Sequence, residues 1–343
     1  MKRRALLGGV ACAALAGPSI AAAARPAVLD RAALTTPLGP RSAMLAVSRA
    51  GQRLVACGER GIVLLSDDAG RAWTQAKVPV QTSLTALRFA DERRGWAAGH
   101  LGVLLATTDG GSTWARQLDG TQAAQRLLDA STGDAQRKAG QRLIDDGPDK
   151  PFFDLDVQAG HLLAVGAYGL AFESRDGGAS WQPFAQRLPN PKRLHLYGVR
   201  AVGERIVIVG EQGLLMRSND RGATFEAITS PYKGSFFGLL AAKSGTLLAY
   251  GLRGNVFRSA DAGATWRAAT TGVPVSISAG LERDDGALVL LAQNGDLLTS
   301  RDDGQHFERR PAAPPFPAAA FATTSDNALV LAGLRGLQRL DNA

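Results

Sequence analysis

The sequence predicts an all-β fold, a seven-bladed β-propeller, from three observations. The motif Ser/Thr-x-Asp-x-Gly-x-x-Trp/Phe occurs six times, with its Asp at Asp68, Asp109, Asp176, Asp220, Asp261 and Asp302. Consecutive Asp residues are 41, 67, 44, 41 and 41 residues apart. A period of about 40 residues in a β-rich chain marks stacked propeller blades. A Gly-x-x-Gly turn between two apolar runs also repeats, at Gly58–Gly61, Gly99–Gly102, Gly166–Gly169, Gly210–Gly213, Gly251–Gly254 and Gly333–Gly336, with the degenerate Gln293-Asn294-Gly295 between the last two. That turn gives seven units, one more than the motif.

Taken in order, residues 1–24 read as a cleaved signal peptide. Lys2-Arg3-Arg4 is a basic start, Ala5–Gly17 an apolar stretch too short to span a bilayer as a stable helix, and Ala21–Ala24 a small-residue cleavage site. Arg3-Arg4 ahead of Ala5-Leu6-Leu7 resembles a twin-arginine export signal, although secretory peptides are often this basic. Cys12 lacks the Leu three residues earlier that a lipoprotein box requires, so no lipid anchor is expected. No other segment is apolar enough to cross a membrane, and the expected location is the periplasm. Residues 25–343 are then one domain, and Ala27–Pro37 is expected to supply the outer strand that the seventh blade lacks.

Within each unit, a pair of runs such as Leu54–Cys57 and Ile62–Leu65 reads as two short strands about a tight turn. The Asp motif acts as a lock on the following hairpin. Its carboxylate accepts backbone N–H bonds from the turn, its Gly takes a positive φ, and its aromatic starts the next strand and packs inward. Six carboxylates in one register suggest acid–base work. Catalysis, however, needs a residue once, at one place, whereas these recur at the same corner of every blade. They are read as structural.

The long step carries about 26 residues more than the others, and residues 119–147 are expected to form a helical insertion between blades 2 and 3. Ala123–Leu128 and Ala135–Ile144 have helix-forming composition, broken by Ser131-Thr132-Gly133. The expected placement is a small cap over the channel mouth, returning through Asp149, Lys150 and Pro151.

Composition narrows the function. The chain has 39 basic and 31 acidic residues, and loss of Lys2, Arg3 and Arg4 leaves a net charge of about +5. There is no basic run and no interleaving of aromatic with basic residues, so nucleic acid is not expected as a partner. Cleavage would leave Cys57 as the single cysteine, read as a small core residue. The histidines His100, His161, His195 and His306 show no metal-site spacing. No nucleophile elbow, phosphate loop or dinucleotide fingerprint is present, and neither metal nor cofactor is expected.

In a propeller the locks share one face, while the Gly-x-x-Gly turns and the blade-to-blade connections share the other, around the channel. Variable turn side chains there would form a binding surface. The candidates are Glu59, Arg60, Tyr168, Glu211, Arg253 and Arg335 on the turns, with Asp149, Lys150, Tyr232 and Lys233 on two connections. Any one of them can equally be an ordinary solvated turn residue. Phe236 and Phe237, beside Tyr232 and Lys233, are expected to enter the next strand.

The locks are similar to the Asp boxes, or bacterial neuraminidase repeats, of sialidases and of many non-catalytic propellers. Together with Gly251-Leu252-Arg253-Gly254 ahead of Arg258-Ser259, and the Asp149-Lys150-Pro151-Phe152 and Tyr232-Lys233-Gly234-Ser235 loops, the unit resembles the photosystem II stability and assembly factor family and its relatives in non-photosynthetic bacteria. The resemblance implies a non-enzymatic seven-bladed binding protein, exported, that helps assemble or stabilise a membrane or envelope complex through an arginine-bearing face. It carries that role to Arg60, Arg253 and Arg335. Transport systems are among the partners it implies, with no insertion into the membrane, and the protein is expected to be a monomer. The competing class is a sialidase-like glycoside hydrolase, or a propeller that binds glycans without catalysis. Such an enzyme resembles this chain in its Asp boxes but requires an Arg-Ile-Pro motif, and the nearest string here is Arg187-Leu188-Pro189, in a loop.

Overall fold

Short apolar runs joined by turns of two to seven residues pair with their sequence neighbours, and each repeat folds accordingly into an antiparallel sheet in chain order. A computed structural model of the protein describes residues 25–341. It contains seven sheets, at 44–75, 84–118, 152–183, 196–227, 236–269, 277–310 and 318–340. The first six have four strands and the seventh has three. The innermost strands of all seven blades line a central channel.

The core is divided among the seams between blades. Seven hydrophobic clusters are present among the described residues, and each joins two neighbouring blades. In six of them the key is the aromatic of a lock, which packs on the preceding blade. Trp114 of blade 2 sits with Val55 and Leu65 of blade 1. Trp181 of blade 3 sits with Trp96 and Leu104 of blade 2. Trp266 of blade 5 sits with Val207 and Val209 of blade 4. The seam between blades 6 and 7 has no lock aromatic and uses Phe316, Phe321 and Leu340 instead.

The locks bond as their sequence implies. In the first, Gly70 N donates to Ser66 Oγ at 2.8 Å, Ser66 Oγ donates to Asp68 Oδ1 at 2.8 Å, and Arg71 N and Ala72 N donate to the same carboxylate oxygen. The lock glycine must be glycine for two reasons. In the third lock Gly178 has φ +94°, and a Cβ there would lie 2.5 Å from Gln117 Oε1 and 2.8 Å from Trp96 Nε1 of the preceding blade.

The predicted closure does not form. Residues 27–37 add no strand to blade 7. They run along the connection from blade 1 to blade 2, where Ala33 N donates to Val78 O and Gln81 N donates to Val28 O. Pro37, at the end of the segment, lacks the N–H that a ladder would need, and Pro26 and Pro40 flank it. Blade 7 meets blade 1 face to face, with Trp73 against a cluster that includes Leu54, Ala322 and Val330. Asp326 of blade 7 clamps this seam, accepting from Arg71 of the first lock and from Arg339, both at 2.8 Å.

The insertion forms two helices, α1 (Gly120–Asp129) and α2 (Asp134–Asp146), longer at both ends than composition indicated. Asp119 caps α1, accepting from Thr121 N and Gln122 N, and Gln122 completes the capping box. The pair does not cap the channel. It leaves the outermost strand of blade 2, so it emerges at the rim, and its apolar face meets blade 3 from outside. Arg126 Nη1 donates to Trp181 O at 2.8 Å, while Ala123 and Leu127 join the cluster between blades 2 and 3.

Trp181→Ala should lower stability by about 3–5 kcal/mol, because the ring is 2% exposed and a cavity would remain at its seam; thermal or denaturant unfolding measures this. The locks also predict an acid transition. The Asp176 carboxyl is held at about 2 by the hydroxyl and amide of Ser180 and by Ser174, and Asp220 at about 2 by Thr224 and Ser218. Folded values below the unfolded value of about 3.9 give stability that is complete above that pH and lost as pH falls through the folded value. The denaturation midpoint should therefore hold from neutrality to pH about 5 and fall between about 4 and 2. A midpoint that stays level through that window would remove this role from the locks.

Candidate functional site at the channel mouth

Each Gly-x-x-Gly turn folds back onto the start of its own blade. The amide after the first position donates to the carbonyl just ahead of the innermost strand in all seven blades, from Glu59 N on Ala43 O to Leu334 N on Pro317 O, at 2.9–3.2 Å. A Cβ on the first glycine would lie within about 2 Å of that carbonyl, for example 2.1 Å at Gly58 and 1.8 Å at Gly333. The third position is left-handed in five turns, at Arg60, Leu101, Tyr168, Gln212 and Arg253, with φ between 53° and 58°. A non-glycine residue is strained there and is kept by the bonds around it. The same amide finds a side chain on the adjoining connection: Tyr168 N donates to His195 Nδ1, Gln212 N to Ser235 Oγ and Arg253 N to Ser276 Oγ.

This frame sorts the predicted residues. Arg60, Arg253 and Arg335 are exposed, and their guanidinium groups have no ion pair among the described residues. They stand on blades 1, 5 and 7, so Arg335 and Arg60 are neighbours in ring order and Arg253 is two blades further on. Arg335 occupies a two-residue turn between the paired Gly333 and Gly336. Glu59 and Glu211 turn inward, accepting from Ala43 N at 3.1 Å and His195 N at 3.2 Å. Their carboxylates secure the turns. Tyr168 is 53% exposed, with its ring edge-on to His195 at 4.7 Å and Lys150 Nζ 5.5 Å from its centroid. Lys150 also pairs with Asp146 and Asp149. Tyr232 is half-buried, its ring 5.4 Å from Phe257 and its hydroxyl donating to Leu252 O at 3.2 Å. It belongs to the seam between blades 4 and 5, and of the two predicted residues only Lys233 is exposed.

The structure adds residues that the motifs did not single out. The second position of each innermost strand faces the channel, and in blades 3, 4 and 5 it is Phe153, Tyr197 and Phe237. Successive rings lie 5.2 and 5.9 Å apart. His195 extends the strip to Tyr168, 6.0 Å from Phe153 and 5.9 Å from Tyr197. Phe237 does enter a strand, as expected, but its partner Phe236 alone is buried. A cavity of about 620 Å³ opens beside the strip, lined by Tyr197, Phe237, Ser278, Gln293, Ala319 and Leu334, with Leu334 69% exposed. The available signal was positional: each channel residue directly follows a buried residue at the strand start.

Deeper in the channel, Asp154 lies between two arginines, 2.5 Å from Arg200 Nη1 and 3.5 Å from Arg88 Nη2, and also accepts from Val199 N. Asp156 accepts from Ala201 N at 2.7 Å. Burial raises the Asp156 carboxyl and the Tyr250 hydroxyl, and the nearby Arg200 charge lowers Arg88. Two guanidinium groups face two carboxylates, so the charges are compensated inside the channel. No group of three or more potential metal-ligating side chains occurs among the described residues.

The model of the family described as photosynthesis system II assembly factor YCF48 matches residues 65–134 and 148–313, well over half of the chain. The chain belongs to that family. The interval left unmatched within the YCF48 model, 135–147, is nearly all of α2. A comparison with curated proteins yields no match. Among solved structures, YCF48 bound to D1 peptide has a TM-score of 0.65 at 17% identity, covering 91% of this chain and 97% of that one. YCF48 from Cyanidioschyzon merolae has a TM-score of 0.62 at 12% identity, covering 89% and 97%. The GH74 xyloglucanase from Xanthomonas campestris has a TM-score of 0.61 at 17% identity, covering 89% of this chain and 53% of that enzyme. At these identities the likeness is one of fold.

Asp154→Ala should destabilise the protein by about 3–5 kcal/mol, since it leaves two guanidinium groups facing each other without their shared counter-charge. Double substitution with Arg200→Leu should recover part of that loss, and unfolding curves of the three proteins measure both steps.

Proposed function

We propose that this protein is a non-enzymatic periplasmic scaffold that helps assemble or stabilise a membrane or envelope protein complex by holding a segment of its client at the channel mouth. The observation that carries this reading is the pairing of an aromatic strip with unpaired arginines on one rigid face. Phe153, Tyr197, Phe237 and the exposed Tyr168 offer broad apolar contact, and Arg60, Arg253 and Arg335 offer planar donors for carboxylates. Both residue types dominate binding energy at protein interfaces. The turns are already fixed by backbone bonds, so little ordering entropy is lost on binding. Membership of a family described as an assembly factor supports the reading, as does a solved propeller of the same fold bound to a D1 peptide. Periplasmic location rests on the signal-peptide character of residues 1–24, which lie outside the described residues.

A glycan-binding reading draws on the same rings, since aromatic platforms also stack on sugars, and on the fold shared with a xyloglucanase. A crosslinked pull-down from membranes separates the two. The native protein should recover a membrane complex, and the Arg60→Glu, Arg253→Glu, Arg335→Glu triple variant should lose it while keeping its thermal transition, because all three side chains are exposed. Equal recovery by both proteins would remove the arginines from the interface. Recovery of no complex by either, with binding on a glycan screen, would replace the scaffold reading.

A further inference from the structure

Outside the channel, a groove of about 580 Å³ runs between α2 and the connection from blade 3 to blade 4. Its size falls in the range of small-molecule sites. Ala135, Ala139 and Leu143 of α2 form one wall, Pro183, Ala185 and Pro191 form the other, and Leu127 of α1 lies at its base. Close approach of the helices sets the slot: a Cβ on Gly140 would lie 2.9 Å from Leu128 Cα, so α2 sits directly on α1. The family model does not include this wall, since 135–147 is the interval it leaves unmatched.

Two features define what the groove can hold. Its uncharged polar side chains are already bonded within the chain: Ser131 Oγ donates to Leu127 O, Gln136 Oε1 accepts from Thr132, Gln186 Nε2 donates to Pro183 O, and Asn190 bonds both ways with Leu194. A peptide backbone laid there would find few partners for its own polar groups, whereas a hydrocarbon chain needs none. The charges lining the groove are all positive, from Lys138, Arg142 and Arg193, and the described residues provide no acidic partner for them. We propose that the groove binds an anionic amphiphile, a single apolar chain ending in a carboxylate or a phosphate, with the chain along the alanine and proline walls and the head between Lys138, Arg142 and Arg193. A free fatty acid and a lysophospholipid share this chemistry.

Calorimetric titration of the full mature chain with dodecanoate and with dodecanoyl lysophosphatidate, both below micellar concentration, tests the proposal, with dodecanol as the uncharged control. One-site saturable binding of at least one anion is expected, and the tighter of the two identifies the source. The Lys138→Glu, Arg142→Glu variant should bind about tenfold more weakly or worse, as loss of charge-assisted contacts requires. Ala139→Trp should abolish binding by filling the slot. Lys138 and Arg142 are exposed, so the charge variant should keep its thermal transition, and client recovery at the mouth should be unaffected. Failure of both anions to bind saturably would overturn the proposal. So would binding that ignores both variants, or dodecanol binding as tightly as the anions.

Discussion

The ring at the end of each lock is wedged against the blade before it, and the other features of the fold take their positions from that wedge. A single four-stranded sheet has too little apolar surface to hold itself together, so each blade must bury one face on its predecessor. The Asp, Ser and Gly of the lock fix where the aromatic leaves the turn, and Trp114, Trp181 and Trp266 then each enter the seam with the preceding blade. The buried Trp96 indole N–H, the one buried side-chain polar atom without a partner among the described residues, lies beside the third lock glycine, where a Cβ on Gly178 would come within 2.8 Å of it.

The opposite face is built by a different economy. There the turns are held through their own backbone amides, and at several positions, Arg60 and Arg253 among them, the turn's own side chain takes no part in that frame. Function can be written at those positions without disturbing the seams. The distinction explains why Glu59 and Glu211, which do bond the frame, belong with the structure, while Arg60 and Arg253 belong with the surface.

How far the sequence could be read follows from the same division. Blade number, strand order and the lock bonds were legible because each rests on interactions within about 10 residues, and those repeat. The closure was not. Sequence gives no sign that residues 27–37 would bond to Val78 and Gln81 in place of adding a strand to blade 7, because that choice is made between distant surfaces. The insertion's helices were visible in composition, but their docking at the rim depends on where the outermost strand of blade 2 releases them. At the mouth, Tyr232 looked like a surface residue by its loop and proved to be a seam residue by its contacts with Phe236 and Phe257. Phe153, Tyr197 and Phe237 were hidden because their signal, one position per blade, emerges only when the blades are aligned in space.

The join between the last blade and the first has a mechanical meaning. Six seams lie between blades linked in sequence, so a blade that loosens there remains tethered to its neighbour. The seventh has no direct chain link between its two blades; it is held by the packing of Trp73, by Asp326 on Arg71, by Arg339 donating to Ala69 O, and by residues 39–41 against the last strand of blade 7. Under tension applied to its two ends the molecule would behave as a split washer, parting at this join while the other six seams still hold.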